Sequence, residues 1–62
     1  MFAQKIRELR MARGLSEAAL DEIFDLMRGT VSNWEHGDAV PEEELLEDIA
    51  SYFGIGISEL AG

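Results

Sequence analysis

The sequence predicts an all-α domain built as a compact bundle of four to five short helices. Three observations carry that expectation. Apolar residues recur at three- and four-residue intervals in four separate stretches. Gly14, Gly37 and Gly54 each follow such a stretch, where a helix stop is expected. No run of strand length alternates apolar and polar residues convincingly. At 62 residues the chain reads as one domain, 1–62, with a core near the lower size limit.

Phe2, Ile6 and Leu9 mark the first helix, with Lys5, Arg7, Arg10 and Arg13 on its other faces. Ser16 is placed to cap a second helix, and Glu17 suits the positive end of its dipole. Ala19, Leu20, Ile23, Phe24 and Met27 continue the apolar face of that helix. Residues 28–36 read as a third short helix closed by Gly37. Val31 and Trp34 in it are spaced to face the core. Pro41 with Glu42, Glu43 and Glu44 opens a fourth helix, since proline tolerates the first turn and acids match the dipole. Leu45, Ile49 and Phe53 form its stripe, and Ser58–Leu60 reads as a final short helix or turn.

Composition limits the functions available. There is no Cys, which excludes disulfides, thiolate metal sites and cysteine nucleophiles. His36 stands alone, without a second ligand at metal spacing. The acids of 42–48 lack the alternating pattern and central Gly of a calcium loop. No cofactor, metal or enzyme activity is expected, nor a membrane span or signal peptide; a cytoplasmic location is the default. Thirteen acids face five bases, giving a net charge of −8. Residues 1–28 are balanced, whereas 29–62 contain no Lys or Arg and carry the whole excess.

The polar side chains of 28–36 are the most informative. Arg28, Gly29, Ser32 and Asn33 share one face of the third helix. Arg and Asn can each make two hydrogen bonds to a base edge in a DNA major groove. A preceding helix joined by a short turn would complete a helix-turn-helix. The acidic balance opposes a strong basic footprint, so binding of double-stranded DNA by this domain alone is expected to be weak and strongly salt-sensitive.

The chain resembles the phage repressor and Cro-like helix-turn-helix family, also called the XRE family. The likeness covers nearly the whole chain. It rests on residues 6–10 (Ile-Arg-Glu-Leu-Arg), 13–16 (Arg-Gly-Leu-Ser), 28–35 (Arg-Gly-Thr-Val-Ser-Asn-Trp-Glu), Gly37, Pro41, and 49–54 (Ile-Ala-Ser-Tyr-Phe-Gly) with 57–60 (Ile-Ser-Glu-Leu). The resemblance implies a five-helix repressor-type fold. It places Arg28, Gly29, Thr30, Ser32 and Asn33 at the DNA, with Ser16 and Glu17 at the phosphate-facing end of the second helix. It also implies a structural ion pair between Arg10 and Glu35, and a homodimer contact in the Tyr52–Leu60 region.

The departures from the family pattern cluster in residues 17–27. Glu17 stands where a neutral phosphate contact is usual, Asp21 where a small Ala is usual, Asp25 where Gly makes the turn, and Met27 where Ser or Thr caps the third helix. Three arrangements of this region follow. The turn is standard; or the second helix runs on to about Arg28, with Gly29 as terminator and Thr30 as cap of a shortened third helix; or Asp25 caps the third helix one turn early. Two functions follow as well. One is a sequence-specific DNA-binding domain of a repressor-like regulator. The other is a diverged or redesigned domain of the same fold, serving as a structural or protein-interaction module without DNA binding.

Overall fold

The computed structural model describes residues 1–62 and contains five helices and no strand. They are α1 (Phe2–Ala12), α2 (Glu17–Ile23), α3 (Thr30–Glu35), α4 (Glu43–Phe53) and α5 (Ile57–Ala61). α3 packs against both α1 and α2, and α5 packs against α1 and α4. One core joins Phe2 and Ile6 of α1, Leu20 of α2, Val31 and Trp34 of α3, Ile49, Ala50 and Phe53 of α4, and Leu60 of α5. Phe2 and Trp34 meet edge to face, with ring centroids 5.7 Å apart. Each fully buried Ile or Leu contributes roughly 1.5–3 kcal/mol through removal from water. No helix is long and apolar enough to cross a membrane.

The turn between α2 and α3 combines features of two of the expected arrangements. α2 stops at Ile23, as the standard turn requires. Asp25 adopts a left-handed backbone with φ of 55°, the conformation for which the family pattern favours Gly. α3 nevertheless begins only at Thr30, two residues later than expected, with Gly29 as N-cap at φ of 94°. Neither a continuous helix to Arg28 nor a cap from Asp25 is formed. Because the chain leaves the helix at Phe24, the 3.6-residue period no longer applies, and Met27 swings into solvent at 84% exposure. Leu26 packs against the core in its place. Ile23 is also largely exposed.

The cap of α3 comes from another helix. Gly29 has no side chain to satisfy the free N–H groups of the first turn. The Asp21 carboxylate does so: Oδ2 accepts from the Gly29 N–H and Oδ1 from the Val31 N–H, each at 2.9 Å. Asp21 is buried at 4% exposure. Thr30, by contrast, donates its hydroxyl to the Met27 carbonyl at 2.7 Å. Elsewhere the signals act as expected: Ser16 Oγ accepts from the Ala19 N–H at 3.0 Å, and Gly54 closes α4 in the left-handed region. Pro41 is a correction, since it is buried in the loop before α4 and the helix starts at Glu43.

Asp21→Ala leaves two α3 amides without a partner and is expected to destabilise the domain by about 1–3 kcal/mol. Urea denaturation measures this, and native-state hydrogen exchange should show the Gly29 and Val31 amides losing protection first.

Candidate nucleic-acid interface

α3 is fastened at its other end by Glu35, whose side chain is fully buried. Arg10 grips it with two bonds, Nε to Oε2 at 2.7 Å and Nη2 to Oε1 at 2.9 Å. The same guanidinium donates from Nη1 to the Leu15 carbonyl at 2.8 Å, which fixes the loop before α2. Arg7 adds a longer contact, Nε to Oε1 at 3.3 Å. Burial pushes the Glu35 carboxyl up, but the hydrogen bonds donated by Arg10 and Arg7 override burial and hold it below the usual carboxylate range. Hydrogen bonding to Glu35 raises Arg10 further above its already high value.

With its inner side held by Val31, Trp34 and Glu35, α3 presents its other face to solvent. Arg28 and Asn33 are exposed, and Ser32, Gly29 and Thr30 are half-buried. Of the expected reading residues, Thr30, Ser32 and Asn33 lie on α3, whereas Arg28 and Gly29 belong to the turn before it, so the single helical face expected for Arg28, Gly29, Ser32 and Asn33 is not formed as one helix. Two of them are already engaged: the Gly29 N–H by Asp21, and the Thr30 hydroxyl by Met27. Ser16 is exposed at the start of α2. Glu17 is half-buried and stands near the Arg10–Glu35 pair, where its charge helps to keep Arg10 protonated. The family-implied ion pair of Arg10 and Glu35 is present.

The cations of α1 are largely engaged within the domain. Besides Arg7 and Arg10, Lys5 Nζ lies 3.7 Å from Glu59 Oε2. The Arg13 guanidinium lies over the rings of Tyr52 and Phe53, 5.0 and 4.9 Å from their centroids. Arg28 makes none of the ion pairs or ring contacts. It borders a shallow hollow with Ala18, Asp21, Glu22 and Leu26. Two features escaped sequence reading. The Asp21 cap spans eight residues and a turn, outside any local capping offset. The Arg13 stack joins α1 to the end of α4, and only the fold reveals it.

The Tyr52–Leu60 segment is divided between core and surface. Leu60 is fully buried and Ile55 packs on the core, because α5 folds back between α1 and α4. Tyr52 and Ile57 remain exposed, at 39% and 36%.

Five helices with a short α3 set after the turn of residues 24–29 define a helix-turn-helix domain, a DNA-binding class of regulatory domain. Residues 6–60 match the helix-turn-helix family, and the chain belongs to it. It is 34% identical over 59 residues to the HTH-type transcriptional activator BcrR of Enterococcus faecalis, covering 95% of this chain and 29% of that protein. It is 33% identical over 60 residues to the cryptic phage CTXphi transcriptional repressor RstR of Vibrio cholerae, covering 97% of this chain and 54% of that protein. The chain thus spans about half the length of one of these curated relatives and under a third of the other. No solved structure gives a significant match.

A carboxylate whose pKa is depressed on folding contributes stability that is present above its unfolded pKa, near 4.3 for Glu, and lost as pH falls through the folded value. Acid should therefore weaken the domain from about pH 4 downward. Glu35→Gln should be less stable than the parent at neutral pH and show a flatter acid limb, as measured by thermal denaturation across pH.

Proposed function

We propose that this chain is the sequence-specific DNA-binding domain of a repressor-like transcription regulator, with α3 and its approach reading the major groove. The observation that carries this reading is the outer face of α3. Asn33 is exposed on that face and Arg28 is exposed in the turn just before it, on a helix held by two buried carboxylates, Asp21 at its start and Glu35 at its end. Arg28 is suited to guanine O6 and N7, and Asn33 to adenine N6 and N7. Ser32 and Thr30 line the same tip, with Gly29 allowing close approach of the backbone. Ser16 is offered as a phosphate contact. Glu17 supports the ion pair of α1 and α3 rather than DNA.

One short helix reads about half a site, so function calls for two copies. Tyr52 and Ile57 are the side chains of the Tyr52–Leu60 region offered for the homodimer contact. The two relatives are named as an activator and a repressor, and a regulatory role for the longer protein is carried over on that basis. Double-stranded DNA in the cytoplasm is the proposed setting.

Engagement of the α1 cations replaces the strong salt sensitivity expected from sequence with a shallow one. Binding should be weak, but its salt dependence should be shallow, because few free cations remain to displace counterions. Each phosphate contact adds about 0.9 to the slope of log K against log salt. A slope per domain of about 1–2 is expected.

Selection from a randomised duplex pool, followed by affinity measurement on the recovered site, tests the reading. Arg28→Ala and Asn33→Ala should each cost about 1–3 kcal/mol and relax preference at one base position. Equal affinity for all duplexes before and after substitution would favour the alternative of a structural or protein-interaction module.

A further inference from the structure

Residues 29–62 contain no Lys or Arg, so His36 is the one side chain in that half able to become a cation. Its position is telling. Gly29, Ser32, Asn33 and His36 follow at intervals of three, one and three residues, which places them on one helical face. His36 is exposed at the C-terminal end of α3, one turn beyond the residues offered to base edges. In a helix whose opening turn meets the bases, the far end of the same face approaches the groove wall, where phosphates lie.

The ring is also held. Nδ1 lies 2.7 Å from the Ser32 carbonyl oxygen and 3.4 Å from Ser32 Oγ. A carbonyl only accepts, so at 2.7 Å Nδ1 carries the proton and donates it. That leaves Nε2 as the atom that gains a proton when the ring becomes charged, and a cation there suits the negative end of the α3 dipole. The charged groups that neighbouring elements bring to α3 are committed elsewhere. Arg7 and Arg10 of α1 hold Glu35, Glu17 of α2 stands beside that pair, and Asp21 of α2 holds the first turn. Asp38, in the loop after Gly37, forms no ion pair with His36.

We infer that His36 is a conditional DNA contact, its protonated Nε2 donating to a backbone phosphate beside the groove, so that DNA affinity rises as pH falls. The inference rests on the DNA-binding reading above and adds a residue and a pH dependence to it. With most fixed cations engaged, one added positive charge on the reading face is a large fractional change in the electrostatic attraction.

The experiment is fluorescence anisotropy of a labelled mixed-sequence duplex of about two helical turns. It is run near pH 6 and near pH 8, across a salt series. The parent, His36→Gln and His36→Arg are compared, each shown folded by its amide spectrum. The α-amino group is common to all three proteins and cancels in the comparison. The parent should bind severalfold more tightly near pH 6, with a log K against log salt slope steeper by about 0.9 than near pH 8. His36→Gln should be flat with pH, and His36→Arg should bind near pH 8 as the parent does near pH 6. The same gain on acidification in His36→Gln would overturn the inference and leave the DNA reading standing. Absence of duplex binding by all three proteins at both pH values, even in low salt, would remove the DNA reading and the inference with it.

Discussion

The Arg10–Glu35 ion pair is the contact on which the placement of α3 depends. Six residues of helix have no stability of their own, because nucleation is costly and the propagation steps are few. The geometry of α3 must therefore come from its neighbours. Val31 and Trp34 seat it in the core, but apolar packing alone leaves a short cylinder free to slide and rotate. A bidentate guanidinium–carboxylate contact has direction. It fixes where along α1 the end of α3 lies, and the third Arg10 bond ties the loop before α2 to the same point. Such a buried pair adds little net stability, since desolvation offsets most of the attraction. Its contribution here is position.

Asp21 does the corresponding job at the other end. A carboxylate from α2 accepts two N–H bonds from the start of α3, so the angle between the two helices is set by hydrogen bonds as well as by packing. This gives physical sense to two departures from the family pattern that look unfavourable when taken singly. Met27 supplies no cap, and Asp21 is larger and more polar than the usual small residue. Together they form an exchange in which the cap moves from the turn to the preceding helix. The buried carboxylate also lies at the positive end of the α3 dipole, where a negative charge is favoured.

The same economy of charge shapes the surface. An acidic chain with five bases uses most of them to hold itself together: Lys5 to α5, Arg7 and Arg10 to α3, Arg13 over the aromatic rings at the end of α4. Cations serving as internal ties contribute less to the attraction of a polyanion. The exposed face of α3 is left with neutral hydrogen-bonding groups and few charges.

The sequence by itself determined the all-α class, a count of four to five helices, the core positions Ile6, Val31, Trp34, Ile49 and Phe53, the Ser16 cap and the stop at Gly54. These follow from local periodicity and from cap geometry acting over a few residues. The outward placement of Asn33 was legible for the same reason, since a helix with two core positions has only one face left, whereas Arg28 and Gly29 precede that helix. Sequence also named Arg10 and Glu35 through family likeness. Only the tertiary structure decided the rest. The start of α3 at Thr30, the burial of Asp21, the exposure of Met27, the inward turn of Leu60 and the engagement of Arg13 all depend on groups distant along the chain or beyond the turn. A helical period says which side a residue takes only while the helix lasts, and a carboxylate chooses between solvent and an amide only once folding has brought that amide within reach.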